Sequence, residues 1–181
     1  MKNTGRTYLC LLIALALVLG SLAWGARKGW QAQAQELQKM YEQEGGVKNL
    51  LELRASDASN LLAVARRYLD KQDNRLKAVA DARDVLRSDS APLNKKFDAN
   101  QALTESVGAL SKALKDQKAL QDDTKDWNYV VSLVKALEVY DEGDAVNAYN
   151  NAAKDYNKNL QQSFSGWFAE LTGVRMAELF H

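Results

Sequence analysis

Residues Thr7 to Trp24 read TYLCLLIALALVLGSLAW and contain no charge, Pro, Asn or Gln. At about 1.5 Å per residue, a helix of this length approaches the hydrocarbon thickness of a bilayer. Tyr8 and Trp24 stand near its two ends, where amphipathic rings favour the membrane–water boundary. The stretch predicts a transmembrane anchor at 7–24, preceded by a short flank at 1–6 and followed by a helical body at 25–181.

A cleaved signal peptide is the alternative interpretation of the same stretch. Lys2 and Arg6 supply a basic start, and Ala23-Trp24-Gly25 resembles a small-x-small cleavage site that would release a chain beginning at Ala26. However, the apolar run is longer than a usual signal core. Helical periodicity also continues past it, at Trp30, Ala34, Leu37 and Tyr41. We therefore favour an uncleaved anchor over the alternative, an exported soluble helical protein that is released near Gly25 and binds a ligand between its helices.

The charges that flank the stretch bear on its orientation. Lys2, Arg6 and the terminal amine precede it, and Arg27 and Lys28 follow it. Cytoplasmic flanks of a membrane span carry an excess of positive charge. The two flanks have equal numbers of basic side chains, and the terminal amine adds a positive charge to the N-terminal flank. We expect the N-terminus inside and the body on the extracytoplasmic side.

The amino-acid composition indicates the fold class and the kinds of partner to expect. The 181 residues include 24 Lys and Arg against 23 Asp and Glu, for a net charge of +1. No overall field therefore attracts nucleic acid, and we expect no such partner. Pro92 is the one proline, and Ala, Leu, Lys, Asp, Gln and Asn dominate after the anchor. This composition predicts an all-α protein.

The strongest periodic signal follows Gly45-Gly46, which should end the first helix. A series of mostly apolar positions steps alternately by four and three residues, at Leu51, Ala55, Ala58, Leu62, Ala65, Leu69, Gln72, Leu76, Val79, Arg83 and Leu86. This spacing predicts one long helix with a coiled-coil-like seam, ended by the segment Ser88 to Pro92. Leu61 and Tyr68 widen the stripe, which favours an antiparallel bundle of long helices over a simple dimeric coiled coil.

Three more helical segments complete the predicted bundle. One spans about 94–122 and should become less buried towards Gln117 and Gln121; its seam is Leu103, Val107, Leu110 and Leu114. The next has Thr124 or Asp126 available as its cap, and its apolar face is Trp127, Val130, Val131, Val134, Leu137 and Tyr140. After a turn or irregularity at 141–144, the last seam is Val146, Tyr149, Ala153, Tyr156, Leu160 and Phe164.

A repeated dipeptide suggests a family. Ala148-Tyr149-Asn150 is followed seven residues later by Tyr156-Asn157, and this pair resembles the double Tyr-Asn signature of the LemA family. NLLAVARRYL at 60–69, LKAVADARDVL at 76–86 and the ending Leu179-Phe180 are similar to family segments in the same order. Two positions depart from the family pattern, since Asn147 replaces a basic residue and Ser165 replaces a proline.

The resemblance implies a divergent, membrane-anchored, all-helical member of a family whose biochemical role is ill-defined. It also implies a single-pass protein of the bacterial plasma (inner) membrane. The partners expected on this basis are the membrane, through Thr7 to Trp24, and a protein partner or a second copy of the chain.

The Tyr-Asn pairs are the first candidate site. Seven residues are about two helical turns, so Tyr149 and Tyr156 share one face, and Asn150 and Asn157 share the neighbouring stripe. One interpretation is a ladder that binds a ligand or a partner. The other, which we favour, has the tyrosines filling the seam with their hydroxyls on solvent or a carbonyl, while the asparagines hydrogen-bond across helices.

The aromatic tail is the second candidate site, and it includes Phe164, Trp167 and Phe168. It is either an amphipathic helix that binds a membrane surface or a partner, or the final helix that closes the bundle. Catalytic residues are scarce, because the only histidine is the terminal His181 and the only cysteine, Cys10, lies within the apolar stretch. We expect no catalytic residues, no metal site, no cofactor and no enzymatic activity.

Overall fold

The computed structural model describes residues 4–138 and 143–181. Helices make up most of both ranges, and the described residues contain no strand. The prediction of an all-α protein is confirmed. The helices are α1 (Thr4–Glu42), α2 (Val47–Ala65), α3 (Asn74–Arg87), α4 (Leu93–Lys115), α5 (Lys118–Asp122), α6 (Thr124–Glu138), α7 (Gly143–Gln162) and α8 (Phe164–Leu171).

The described chain forms two compact units. The first unit contains the residues up to Lys39 together with Asn150–Ala177, that is, most of α1, the larger part of α7, and α8. The second unit contains Met40–Tyr149 and Glu178–His181, and therefore α2 to α6.

In the first unit, α1 changes character along its length. Its N-terminal part is the one described helix long and apolar enough to cross a membrane, and no residue of that apolar window is buried. Further along, Trp30 and Leu37 are buried, as are Ala153 and Leu160 on α7. The helix therefore continues without a break from an exposed apolar stretch into residues that pack.

The second unit is a four-helix bundle. Helix α2 packs against α3, α3 against α4, α4 against α6 and α6 back against α2, while short α5 packs on α4 and α6. The heptad positions turn inward because residues three and four apart share a helix face. Fully buried side chains of this core include Leu51, Leu62, Leu86, Leu103, Leu110, Leu114 and Leu137.

The predicted helix ends at the glycine pair and at the proline are confirmed. Helix α1 ends at Glu42, and Gly45 has a φ of +74°, a conformation that glycine adopts without strain. Gly46 precedes the first residue of α2. Helix α3 ends at Arg87, and Pro92 directly precedes α4.

The prediction of one long helix from Leu51 to Leu86 is wrong, because α2 ends at Ala65 and α3 begins at Asn74. Two aspartates explain the break. The Gln72 amide donates to Asp70 Oδ1 (2.8 Å), and the Arg75 amide donates to Asp73 Oδ1 (2.8 Å), which caps α3. Such local bonds compete with helical ones.

The segment at 94–122 is also divided, because α4 ends at Lys115 and α5 begins at Lys118. Leu120 in α5 is fully buried, but it is the one buried residue among 115–122, so this end is less buried than α4, as predicted. The cap of α6 is neither Thr124 nor Asp126. Asp123 Oδ1 accepts hydrogen bonds from the amides of Lys125 (3.1 Å) and Asp126 (3.0 Å).

Two apolar faces differ from the predicted ones. On α6, Leu133 is buried whereas Val131 is 45% exposed. After α7, the seam does not reach Phe164, which is 74% exposed, because α7 ends at Gln162 and the chain starts a new helix. Tyr140 and the predicted turn residues Asp141 and Glu142 lie outside the described residues.

Candidate functional site

Helix α7 carries both Tyr-Asn pairs. Tyr149 and Tyr156 are buried, on the same face as the fully buried Val146, Ala153 and Leu160. Asn150 and Asn157 are half-buried beside them. Tyr149 belongs to the second unit, and the other three Tyr-Asn residues belong to the first.

In the first unit, Tyr156 and Asn157 hold the segment that follows α8. The Tyr156 hydroxyl donates to the Arg175 carbonyl (3.2 Å). Asn157 Nδ2 donates to the Ala177 carbonyl (2.9 Å), and the Ala177 amide donates to Asn157 Oδ1 (2.7 Å). The Asn157 side chain thus hydrogen-bonds both the amide and the carbonyl of Ala177, as the backbone of a neighbouring strand would.

The Tyr156 ring also contacts α1. Trp30 lies edge-on to it, with the ring centroids 5.5 Å apart and the planes at 76°. This geometry is the favoured one for aromatic pairs. Burial raises the pKa of the Tyr156 hydroxyl, which therefore remains a proton donor at neutral pH.

In the second unit, Tyr149 holds the end of the chain. Its hydroxyl donates to the Glu178 carbonyl (2.9 Å), and the Glu178 carboxylate accepts from the Leu93 amide (2.8 Å) at the start of α4. Phe180 is buried edge-on to Phe97, with the centroids 5.4 Å apart. Burial, followed by the charge of Glu178, raises the pKa of Tyr149 to about 12.

The arrangement of these bonds explains what the signature does. We call residues 174–181, which have no regular secondary structure, the C-terminal tail. Tyr149, Tyr156 and Asn157 each bind its backbone rather than its side chains. The contacts therefore depend on the path of the tail backbone more than on a particular sequence.

Helix α8 brings Phe164, Trp167 and Phe168 together, and we call these three residues the α8 aromatic cluster. The Phe168 ring lies 5.0 Å from the Phe164 ring and 4.9 Å from the Trp167 ring, edge-on to both. Phe164 is 74% exposed and Trp167 is 55% exposed. Sequence reasoning identified these residues but left open whether the helix closes the bundle.

The start of α8 depends on two small residues. Ser163 caps the helix, because its Oγ accepts a hydrogen bond from the Gly166 amide (2.9 Å). A Cβ at Gly166 would collide with the Leu160 carbonyl oxygen. The absence of a side chain at Gly166 thus permits the close approach of the ends of α7 and α8.

The bundle also holds polar side chains that sequence reasoning missed. Arg54, Lys96 and Asn100 are buried. Arg54 Nη2 donates to Thr104 Oγ1 (2.8 Å), and Lys96 Nζ donates to Tyr41 Oη (3.3 Å). Burial is the main cause that lowers the pKa of Lys96.

A sequence signal for two of these residues was present. Lys96 and Asn100 extend the α4 seam backwards with the same alternation of four and three residues that leads to Leu103 and Val107. Polar side chains at seam positions indicate buried polar groups. Asn100 Oδ1 has no hydrogen-bond partner among the described residues.

A second polar cluster joins the end of α2 to the start of α6. Asp126 Oδ2 accepts from Arg67 Nη1 (2.8 Å) and from the Tyr68 hydroxyl (2.9 Å). The hydrogen bond to Asp126 is the main cause that raises the pKa of Tyr68 to about 12. Arg67 and Tyr68 lie beyond the last residue of α2, so the break in the predicted long helix is what allows them to reach Asp126.

One cavity lies between α4 and α6. It has a volume of about 160 Å³, and its apolar lining includes Leu114, Trp127, Val130, Val131 and Val134. Lys115, Lys135 and Glu138 also line it. Among the residues that the structure describes, no group of His, Cys, Asp and Glu side chains could hold a metal ion.

The sequence model of the LemA family matches residues 43–181. The chain belongs to the LemA family. The matched LemA region begins directly after α1 and contains the whole bundle, both Tyr-Asn pairs and the C-terminal tail. Searches of curated proteins and of solved structures found no match.

Proposed function

We propose that this LemA-family protein is a single-pass membrane protein that presents its helical bundle to a protein partner, without a catalytic step of its own. The observation that carries the proposal is the exposed apolar stretch of α1, which continues as one helix into the buried Trp30 and Leu37. An apolar surface of this size is costly in water. A bilayer would remove that cost and fix the bundle beside the membrane.

The cavity between α4 and α6 supports a protein partner over a small-molecule ligand. Its volume of about 160 Å³ is below the roughly 300–1,000 Å³ of small-molecule pockets. It suits a single apolar side chain, the kind of anchor that dominates protein interfaces. Val131, which lines it, is 45% exposed.

Two matched double variants test the anchor. Leu12 and Leu15 are 64% and 55% exposed in the apolar stretch, while Leu53 and Tyr129 are 58% and 44% exposed in the bundle. We expect Leu12→Arg with Leu15→Arg to release the protein from carbonate-washed membranes, because each central arginine costs about 3 kcal/mol on insertion. Leu53→Arg with Tyr129→Arg should leave it there. Equal extraction of the two variants would refute the anchor.

A photo-reactive amino acid tests the partner surface. Placed at Val131 in the full chain in native membranes, it should give a discrete cross-linked product that weakens with Trp127→Ala. The same probe at the exposed Leu53 is the control. If both positions give the same products, the cavity is not a specific docking site.

A further inference from the structure

Helix α8 turns its aromatic side outward. Phe164, Trp167 and Leu171, at positions one turn apart, are 74%, 55% and 67% exposed. The opposite side is held in the first unit, where Gly166 and Ala169 are buried. The exposed rings therefore form one continuous apolar surface rather than scattered residues.

One ring contact places α7 beside α1 in the first unit. Trp30 of α1 contacts Tyr156 of α7, with the ring centroids 5.5 Å apart. Helix α8 belongs to the same compact unit as the apolar stretch of α1.

The helical rise gives the distance of Trp24 and of α8 from this contact. Trp24, the last residue of the apolar stretch, precedes Trp30 by six residues, and Gln162, the end of α7, follows Tyr156 by six residues. Each interval is about 9 Å along its helix. Both the end of the apolar stretch and the start of α8 therefore lie within a few helical turns of the contact between Trp30 and Tyr156.

The side chains at this end of the apolar stretch are typical of a lipid–water boundary. Lys28 Nζ lies 5.5 Å from the centre of the Trp24 ring, and Arg27 is its neighbour in sequence. Aromatic and basic side chains next to an apolar span favour the headgroup region. The α8 helix has one charge, Glu170, and no basic residue, so its surface would bind through its rings rather than through anionic lipid.

We propose that the α8 aromatic cluster enters the interface of the same bilayer that α1 crosses and gives the protein a second attachment to it. This inference rests on the proposed membrane anchor. A second attachment beside a single spanning helix would limit the tilt and rotation of α1.

Fluorescence quenching of single-tryptophan variants tests the proposal in vesicles of uncharged phosphatidylcholine brominated on its acyl chains. In the full chain with Trp24→Phe, Trp30→Phe and Trp127→Phe, only Trp167 remains. We expect brominated lipid to remove at least about half of its emission, as for a ring in the interface. Iodide in the water should have little effect.

A matched variant separates the two proposals. With Trp30→Phe, Trp127→Phe and Trp167→Phe, only Trp24 remains, and brominated lipid should quench it. If Trp24 is quenched but Trp167 responds to iodide alone, the inference on α8 is wrong and the anchor stands. If brominated lipid quenches neither tryptophan, the anchor itself is wrong.

A nitroxide label gives an independent answer and keeps Trp30, which is buried against Tyr156. It is attached to Cys at position 165 after Ser165→Cys and Cys10→Ala, since Ser165 is exposed on α8 and Cys10 is the only cysteine. Relaxation by oxygen should exceed relaxation by a water-soluble nickel chelate. A label at the exposed position of Leu53 is the control for a site in water. Stronger relaxation by the nickel chelate than by oxygen at position 165, as at that control site, would overturn the inference.

Discussion

The side chain of Asn157 and the backbone of Ala177 exchange two hydrogen bonds, of 2.9 and 2.7 Å. Tyr156 adds a bond to the carbonyl of Arg175, two residues earlier. Side chains of a helix thereby bind backbone amide and carbonyl groups of a segment that has no regular secondary structure. In this chain the Tyr-Asn signature holds the C-terminal tail against α7.

Loss of the Asn157 amide should release the tail. Asn157→Ala leaves the half-buried amide and carbonyl of Ala177 without their partners, which costs about 1–3 kcal/mol. We expect faster hydrogen exchange in residues 174–178, measured by mass spectrometry on the full chain. Asn151→Ala, at an exposed position of the same helix, is the control. Equal exchange in both variants would show that the bonds do not hold the tail.

Tyr149 should make stability fall at alkaline pH. Its pKa is raised to about 12 in the folded chain from 10.0, so the neutral hydroxyl is the form that folding favours. Its contribution is complete below pH 10 and is lost as the pH rises through about 12. Tyr149→Phe should lower the free energy of unfolding at pH 7 by about 1 kcal/mol and flatten this alkaline loss.

Denaturant unfolding at pH 7 and at a series of alkaline pH values measures this effect. The loss should remain in part, because the pKa of Tyr68 is also raised to about 12. Tyr129→Phe, at an exposed ring, should leave the stability at pH 7 unchanged. An unchanged alkaline slope in Tyr149→Phe would contradict the role assigned to its hydroxyl.

Two substitutions of glycine by alanine should change the stability in opposite directions. Gly166→Ala forces a Cβ against the Leu160 carbonyl oxygen, whereas a Cβ at Gly108, within α4, meets nothing nearer than Glu138 Oε1 at 3.9 Å. We expect Gly108→Ala to raise stability by about 0.5–1 kcal/mol and Gly166→Ala to lower it. Thermal unfolding followed by circular dichroism compares them. A neutral Gly166→Ala would mean that the turn into α8 is not close-packed.

Removal of the buried Lys96 ammonium should stabilise the bundle. The group is 4% exposed, and no carboxylate among the described residues forms a salt bridge with it. Lys96→Met should raise the free energy of unfolding at pH 7 by about 1 kcal/mol. The difference from the unsubstituted chain should narrow as the pH rises through the lowered pKa of Lys96 towards 10.5.

The neighbouring lysine provides the control for this substitution. Lys95 is exposed and pairs with Asp98 at 3.3 Å on the surface, so Lys95→Met should change stability by less than about 0.5 kcal/mol. Unfolding in denaturant measures both variants. If Lys96→Met is the less stable of the two, the ammonium contributes a favourable interaction that outweighs its burial.

Much of the bundle could be predicted from its periodicity. Leu51, Leu62 and Leu86 were expected in a seam and are buried, because burial follows helical phase. The break between α2 and α3 was not predicted. The seam positions keep their spacing of four and three residues across the connection at 66–73, so the heptad pattern shows no interruption there. Asp70 and Asp73 carried the missing signal as side chains that bond to nearby amides.

The path of the tail could not be predicted. Its contacts join Tyr156 to Arg175 and Asn157 to Ala177 through backbone groups, which every residue has. No periodicity marks an extended segment that pairs with a helix side chain. The hydroxyl and amide groups were identified as hydrogen-bonding candidates, but their partners depend on the fold.

The intact mass of the protein recovered from carbonate-washed membranes shows whether Thr7 to Trp24 is a membrane anchor. A tag at the C-terminus of the full-length protein allows the membrane-bound and released material to be purified in the same way. We expect a membrane-bound chain whose mass includes Thr7 to Trp24. A released chain that begins at Ala26, with none left in the membrane, would contradict it.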